Sequence, residues 1–242
     1  MKKFLLFIFC TIIASCSEDL EETKETLQSN VDGKNIVVDN VIACAASGEN
    51  TSKVSVFLYP RPGASNIQCY ATPTENHDKN NYRNYTKINA SLSNVFNGYL
   101  MKFDVDFDSE KWVIVAFDEG GKTHLCNPIR LKQFTKPTEF LVDNVTIDTS
   151  FQMPNFTWED GSFLDTRIYF QVISNTQNDL LSGTYTYEKQ FVYYNLDNVV
   201  LNVTRDNPPE LNNNTNYNFT LMGVSEDNWV NLFSEKPFTT QY

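Results

Sequence analysis

The sequence predicts an all-β protein in which two β-sandwich domains follow a short N-terminal tether. Short runs rich in Val, Ile, Phe, Tyr and Thr recur along the chain, separated by clusters of Asn, Asp, Gly and Pro. No long stretch has the 3.6-residue apolar period of an amphipathic helix. At 242 residues the chain is longer than one typical sandwich, so two domains of about 100 residues each are expected.

Residues 1–15 predict a secretory signal peptide. Two lysines follow Met1, residues 4–13 are almost entirely apolar, and the small residues Ala14 and Ser15 precede Cys16. The apolar run is too short to span a bilayer. The segment resembles the lipobox of bacterial lipoproteins, which implies that Cys16 is acylated with palmitate-type chains and anchors the chain to a membrane. The alternative is an ordinary signal peptide with an incidental cysteine.

Residues 16–35 predict a flexible linker, because they are polar, acidic and nearly free of aromatic residues. The acidic cluster at 18–22 follows directly after Cys16. It resembles the surface-export signal of lipoproteins from Bacteroidetes. This resemblance implies a lipid-anchored protein of the outer membrane that is exposed at the cell surface.

Residues 36–137 predict the first β-sandwich. Phe103, Val105 and Phe107 alternate with aspartates, as expected for a strand with one apolar face and one wet face. The stretch Asp-Glu-Gly-Gly at 118–121 lies between two apolar runs and predicts a hairpin turn. The predicted strands are 36–46, 53–59, 66–71, 98–107, 112–117 and 122–131.

Residues 138–242 predict the second β-sandwich, with the boundary near residues 135–138. The predicted strands are 141–147, 155–158, 167–174, 184–194, 199–203, 217–224 and 229–233. Leu211 stands six residues before Tyr217, which opens an alternating strand, and Trp158 closes an early strand. This pattern resembles fibronectin type III domains. The resemblance implies a core tryptophan at Trp158 and a tyrosine corner formed by Leu211 and Tyr217. The first domain is expected to be immunoglobulin-like on strand count alone.

The charge of the chain argues against nucleic acid as a partner. The formal net charge is −11, whereas phosphate-tracking proteins are basic. Residues 138–242 hold fourteen acids and four bases, a net charge of −10, whereas residues 36–137 are close to neutral. An acidic domain is usually just soluble, but the imbalance also suits two domains that face different partners.

The sequence contains no catalytic or cofactor motif that we recognise, so we expect a protein that is not an enzyme and needs no cofactor or metal. Asp104, Asp106 and Asp108 have the opening spacing of a calcium loop but lack its glycine and its final glutamate. His124 and Cys126 lie on one strand face without an evident fourth zinc ligand.

Three cysteines remain in the first domain after Cys16, namely Cys44, Cys69 and Cys126. Export permits disulfides, and Cys44–Cys126 is the preferred pair because the terminal strands of sandwiches often lie close together. The alternative is that all three are buried thiols, since free cysteine often behaves as a small hydrophobe.

The segment 77–87 is the predicted ligand-binding loop. It interleaves cations with aromatic and amide side chains, which suits sugar rings, hydroxyls and acidic groups. The alternative is a polar loop whose tyrosines pack inward. The candidate ligand-binding residues are His77, Lys79, Tyr82, Arg83, Tyr85 and Lys87.

The function expected from these features is binding or scaffolding at the cell surface without catalysis. The leading hypothesis is capture of polysaccharide beside an outer-membrane nutrient-uptake complex. The alternative is a protein–protein role in adhesion or envelope assembly, with an outer-membrane protein as the partner. A hydrolase is the third hypothesis, because carboxylates alone can hydrolyse glycosides.

Overall fold

A computed structural model describes residues 25–39 and 41–242. The predicted signal peptide and the lipidation site Cys16 lie outside the described residues. The N-terminal half contains helix α1 (Leu27–Val31), a 3₁₀ turn (Tyr82–Asn84) and strands β1 (Ile36–Val37), β2 (Ala43–Ser47), β3 (Lys53–Leu58), β4 (Ser65–Ala71), β5 (Thr86–Lys87), β6 (Leu92–Val95), β7 (Leu100–Asp106), β8 (Lys111–Glu119), β9 (Lys122–Leu125) and β10 (Ile129–Leu131).

The C-terminal half consists of strands and connecting loops. Its strands are β11 (Glu139–Phe140), β12 (Val145–Asp148), β13 (Asn155–Trp158), β14 (Thr166–Asn175), β15 (Leu180–Thr186), β16 (Gln190–Val192), β17 (Val199–Asn202), β18 (Asn216–Ser225) and β19 (Val230–Thr239). The all-β prediction is therefore confirmed.

The N-terminal sandwich packs two sheets face to face. One sheet has the order β1-β9-β8-β4-β5 with β10 also paired to β8, and the other has the order β2-β3-β7-β6. Phe103 and Val105 of β7 are buried in the core between them, together with Val54 and Val56 of β3. Asp104 lies on the outer face, where its carboxylate accepts a hydrogen bond from the Ser55 hydroxyl at 2.9 Å. The alternation in the sequence thus identified the correct core face.

The predicted hairpin at 118–121 is present between β8 and β9. Glu119 pairs with Lys122, so Gly120 and Gly121 form a two-residue loop. Their φ angles are +57° and +74°. Positive φ at both central residues defines the type I′ turn. Residues other than Gly, Asn and Asp rarely adopt this conformation.

The predicted flexible linker is wrong for residues 25–35. Thr26 caps α1, and its hydroxyl accepts a hydrogen bond from the Ser29 amide. Leu27 and Val31, one helical turn apart, are both buried in the N-terminal core. The backbone amide of Leu27 also donates to the carbonyl of Tyr85 at 2.9 Å. This short helix folds because packing on the sandwich stabilises it, although its composition is polar.

The C-terminal sandwich pairs a long sheet with a short one. The long sheet has the order β11-β19-β18-β14-β15-β17, and the short sheet has the order β12-β13-β16. Trp158 is buried between them, with its ring 5.4 Å from that of Tyr169 and 6.1 Å from that of Phe219. Leu211 is buried as well, and the hydroxyl of Tyr217 accepts a hydrogen bond from the Asn212 amide at 3.0 Å. The phenol therefore ties the start of β18 to the preceding loop.

A third apolar core joins the two sandwiches. Along β14, Tyr169 and Ile173 face the core of the C-terminal sandwich, whereas Phe170 and Val172 face the other way. The outward face of this sheet packs against the outward face of β2, β3 and β7, including Phe57. The four sheets therefore form a continuous stack with an apolar layer between the sandwiches.

The connecting segment and one turn lock the two halves together. Thr138 is buried, and its hydroxyl accepts from the Ser47 amide and donates to the Val230 carbonyl. Trp229, in the turn between β18 and β19, is fully buried in the core of the N-terminal sandwich. Its indole N–H donates to the Lys136 carbonyl at 2.7 Å. Because of these buried contacts, the two sandwiches are packed together rather than joined only by a linker.

Three predicted strands are each split in the structure. The predicted strand 36–46 gives β1 and β2, which belong to different sheets. The predicted strands 122–131 and 184–194 also divide, into β9 and β10 and into β15 and β16. The short strands β5 and β6 were not predicted. The chain crosses from one sheet to another between β1 and β2 and between β15 and β16, whereas β9 and β10 both pair with β8 in the same sheet.

The preferred disulfide Cys44–Cys126 is wrong in this structure, because all three described cysteines are free thiols. Cys44 alternates with Ala43 and Ala45, which face the N-terminal core, so its side chain points toward the layer between the sandwiches. Cys126 lies in the N-terminal core, where its sulfur accepts from the Val115 amide. The two thiols thus lie on opposite sides of a sheet. Burial raises the pKa of both Cys44 and Cys126 to about 12.

Candidate functional site

The segment 77–87 turns its aromatic rings toward the protein interior. Tyr85 has 0% exposed surface, and its hydroxyl donates to the Lys79 carbonyl at 2.7 Å. Tyr82 is half-buried against the N-terminal core. Burial raises the pKa of the Tyr85 hydroxyl, which keeps it a neutral donor. The predicted sugar-stacking role of Tyr85 is therefore wrong, and the alternative of inward-packing tyrosines describes the segment.

The cations of this segment do not converge on a ligand site. The Lys87 ammonium pairs with Glu25 at 2.8 Å, and the Lys79 ammonium lies 5.0 Å from the centre of the Trp112 ring. The Nδ1 atom of His77 lies 3.2 Å from the Thr74 carbonyl oxygen. Arg83 is exposed. Each group serves the local structure or faces solvent separately.

A different surface, on the C-terminal sandwich, presents apolar side chains to solvent. We call it the aromatic platform and define it by Phe151, Met153, Tyr194 and Leu196. Their exposed fractions are 67%, 51%, 47% and 52%. Phe151 and Met153 belong to the loop between β12 and β13, and Tyr194 and Leu196 follow β16. Contiguous exposed apolar surface on a soluble domain commonly marks a binding site.

The backbone holds Tyr194 outward by anchoring its neighbour. Tyr193 is buried, its amide donates to the Pro154 carbonyl at 2.9 Å, and its hydroxyl donates to the Pro209 carbonyl at 2.6 Å. Burial raises the pKa of Tyr193, so this hydroxyl remains protonated. The next residue, Tyr194, has a φ angle of +72°, a conformation that costs a bulky side chain about 1–3 kcal/mol. Strain of this kind is concentrated at functional sites.

Two pockets flank Tyr194. The first has a volume of about 340 Å³ and combines the rings of Phe151 and Tyr193 with the polar side chains of Gln152 and Glu210. The second, of about 460 Å³, is lined by polar side chains, chiefly those of Asn202, Thr204, Arg205, Asp206 and Asn207. Tyr194 borders both, so the ring stands between an apolar pocket and a hydrogen-bonding one.

This arrangement suits a ligand with both apolar faces and hydroxyl groups. Aromatic rings stack on apolar ring faces, and amide or carboxylate groups bind hydroxyls. The Arg205 guanidinium lies 4.6 Å from the Tyr99 ring of the N-terminal sandwich, which fixes one wall of the polar pocket. The surrounding half of the chain has a net charge of −10, which disfavours an acidic ligand here.

Sequence reasoning missed the platform because its residues come from two separate loops. The adjacent tyrosines at 193 and 194 gave no strand-type signal, because they follow the end of β16 and Tyr194 has a φ of +72° rather than extended backbone. The run Phe-Gln-Met at 151–153 follows the polar residues at 148–150 and is flanked by no strand pattern of its own. Only the fold brings the two together.

Within the described residues, no cluster of three or more His, Cys, Asp and Glu side chains is placed to hold a metal ion. Asp104 and Asp108 are each engaged by a lysine, at 3.0 Å from Lys102 and 2.5 Å from Lys111 respectively. No helix in the part of the chain that is described is long and apolar enough to cross a membrane.

No protein-family model and no curated protein matches the chain. Among solved structures it is similar to the BSP domain of a biofilm-associated protein, with 14% identity and a TM-score of 0.27 over 83% of this chain. It spans 29% of the length of that structure. It is also similar to the alpha chain of the chicken interferon gamma receptor, with 12% identity and a TM-score of 0.27, over 83% of this chain and 97% of the receptor chain. The β-sandwich assignment rests on the strand pairing described above.

Proposed function

We propose that the chain is a non-catalytic, lipid-anchored protein that captures neutral glycans at the cell surface through the aromatic platform. The observation that carries the proposal is the exposure of Phe151 and Tyr194 beside pockets lined by amide, hydroxyl and carboxylate groups. A sugar ring has an apolar face and a rim of hydroxyls, so it matches both features at once.

Glycan is favoured over a protein partner by the polar content beside the ring. Protein interfaces are depleted of aspartate and serine. The polar pocket instead places Asp206 and Ser182 next to Tyr194. Beside an outer-membrane nutrient-uptake complex, such a protein would hold glycan close to the complex that imports it. The alternative function is adhesion, and the binding experiment below distinguishes the two.

The proposed anchor is Cys16, acylated at the surface of the outer membrane. Multiple acyl chains give durable attachment. Because residues from Glu25 onward belong to the folded body, the chain between Cys16 and Glu25 spans at most about 30 Å when fully extended. The proposed tether is thus short, and it holds the sandwiches near the membrane surface.

A glycan array with the full chain tests the binding proposal. Wild type is expected to bind neutral oligosaccharides, and the double variant Phe151→Ala, Tyr194→Ala is expected to lose at least about tenfold in affinity, equivalent to ~1.4 kcal/mol. Tyr187→Ala is the matched control, because Tyr187 is 67% exposed and lies outside both pockets. Unchanged binding by the folded double variant contradicts the proposal. If the chain binds no glycan on the array but does bind a protein, the adhesion alternative is favoured.

Membrane partitioning tests the anchor separately. Cys16→Ser is expected to abolish labelling by a palmitate analogue and to release the chain from membranes into the aqueous phase. Cys44→Ser is the control, since Cys44 lies within the fold and should leave both readouts unchanged. Membrane association that persists in Cys16→Ser contradicts the lipoprotein proposal.

A further inference from the structure

A cleft of about 480 Å³ opens in the apolar layer between the two sandwiches. We call it the interdomain cleft. Phe57, Tyr59 and Leu100 line its N-terminal wall, and Phe170, Met222 and Val224 line its C-terminal wall. This volume lies within the range of small-molecule sites, about 300–1,000 Å³, and such sites are frequent at domain interfaces. The cleft shares no residue with the two pockets of the proposed glycan site.

One polar group of the cleft wall has no partner. Tyr185 is 9% exposed, and its ring stacks on Phe170 with centroids 4.4 Å apart. Its hydroxyl forms no hydrogen bond with any residue in 25–39 or 41–242. The oxygen atom is not sealed from the cleft, so it is available to pair with a ligand that enters there. Burial raises the pKa of Tyr185 well above its ordinary value, so the group is neutral and able to donate or accept.

The charged groups at the cleft are already engaged. The Arg61 guanidinium pairs with Glu119 at 2.6 Å, and the Asn127 amide donates to the Asp39 carboxylate at 2.6 Å. The remaining wall is dominated by aliphatic and aromatic side chains. An anionic ligand would therefore lose its hydration without gaining an ionic partner, and the Asp39 carboxylate is exposed, so the buried apolar walls favour a neutral ligand.

We propose that the interdomain cleft binds a neutral, largely apolar small molecule whose hydroxyl or carbonyl oxygen pairs with the Tyr185 hydroxyl. The apolar walls supply the affinity, and the single hydroxyl selects ligands with one polar atom. This site is separate from the aromatic platform, so the two are tested independently.

The test compares 2-naphthol with naphthalene, which differ only by a hydroxyl, in calorimetric titrations of the full chain. Wild type is expected to bind 2-naphthol about fivefold more tightly than naphthalene, as one hydrogen bond predicts. Tyr185→Phe is expected to abolish that preference while leaving naphthalene binding unchanged. Failure of wild type to bind either compound, or an unchanged preference in the folded variant, overturns the proposal.

Cys44 reports where the compound binds, because this half-buried thiol lines the same cleft. Because burial raises the pKa of Cys44 to about 12, its alkylation by N-ethylmaleimide is followed at alkaline pH, where saturating 2-naphthol is expected to slow it at least threefold. The substitution Ile168→Trp is expected to fill the cleft, and circular dichroism verifies that this variant is folded. Alkylation unaffected by bound 2-naphthol contradicts the assignment of the ligand to this cleft.

Discussion

The segment 77–87 and the aromatic platform are alike in composition and opposite in structure. Each has two tyrosines close together in the chain with Asn and Asp nearby, Tyr82 and Tyr85 in the segment and Tyr193 and Tyr194 at the platform. In the first, Tyr85 is completely buried and Tyr82 packs on the core. In the second, Tyr193 is buried and Tyr194 faces solvent. The difference teaches that exposure depends on what packs over a loop, and here the covering element is α1, about 55 residues away in the chain.

Tyr85→Ala gives the largest effect that this comparison predicts. Removing a fully buried aromatic ring should lower the free energy of unfolding by about 3–5 kcal/mol. Urea denaturation of the full chain measures it. Arg83→Ala, an exposed change in the same segment, should stay within about 0.5 kcal/mol. A loss below 1 kcal/mol for Tyr85→Ala would show that the ring does not belong to the core.

Leu27→Ala tests whether α1 belongs to the fold. The leucine is buried, so its truncation should destabilise the chain by about 2–5 kcal/mol in the same denaturation experiment. Val38→Ala is the control, because Val38 is an exposed valine in the next segment. If the two variants are equally stable, residues 25–35 do not contribute to the fold and the flexible-linker prediction is correct.

Tyr217→Phe tests the contact that ties β18 to the preceding loop. The change removes the oxygen that accepts from the Asn212 amide, and the expected loss is about 1–2 kcal/mol. Tyr187→Phe, at an exposed hydroxyl, is the matched control and should change stability by only a few tenths of a kcal/mol. A similar result for both would mean that the Tyr217 hydroxyl contributes nothing to the fold.

Tyr194→Gly is expected to stabilise the chain while it weakens glycan binding. Glycine accepts a φ of +72° without strain, and its greater freedom in the unfolded chain offsets part of the gain. The net increase should be about 0.5–1 kcal/mol. Thermal denaturation and titration of a neutral oligosaccharide measure the two effects. If Tyr194→Gly is less stable than wild type and still binds the oligosaccharide, the backbone conformation of Tyr194 has no role in binding.

Strand positions were readable from the sequence because each half alternates or runs apolar between turn residues. The predicted strand 167–174 matches β14, and the Gly-Gly turn fixed the hairpin at 118–121. The sequence of β14 also indicates the layer between the sandwiches. Phe170 and Val172 alternate with Tyr169 and Ile173, so both faces of this strand are apolar. What the sequence did not disclose is which distant segments meet.

The candidate site was the least predictable part for the same reason. Whether a tyrosine stacks on a ligand or packs inward depends on contacts between residues far apart in the chain. Leu27 covers the segment 77–87, whereas no described element covers Phe151 and Tyr194. The disulfide prediction failed similarly, because strand order alone did not reveal that Cys44 faces away from the N-terminal core.

Mapping the glycan contact in solution tests the central claim most directly. Backbone amide shifts of the full chain are recorded while the neutral oligosaccharide that binds most tightly on the array is added. The platform account predicts that the perturbed amides cluster at residues 151–153, 193–196 and 202–207, with none in 77–87. Perturbations concentrated in 77–87, with the platform unchanged, would contradict it.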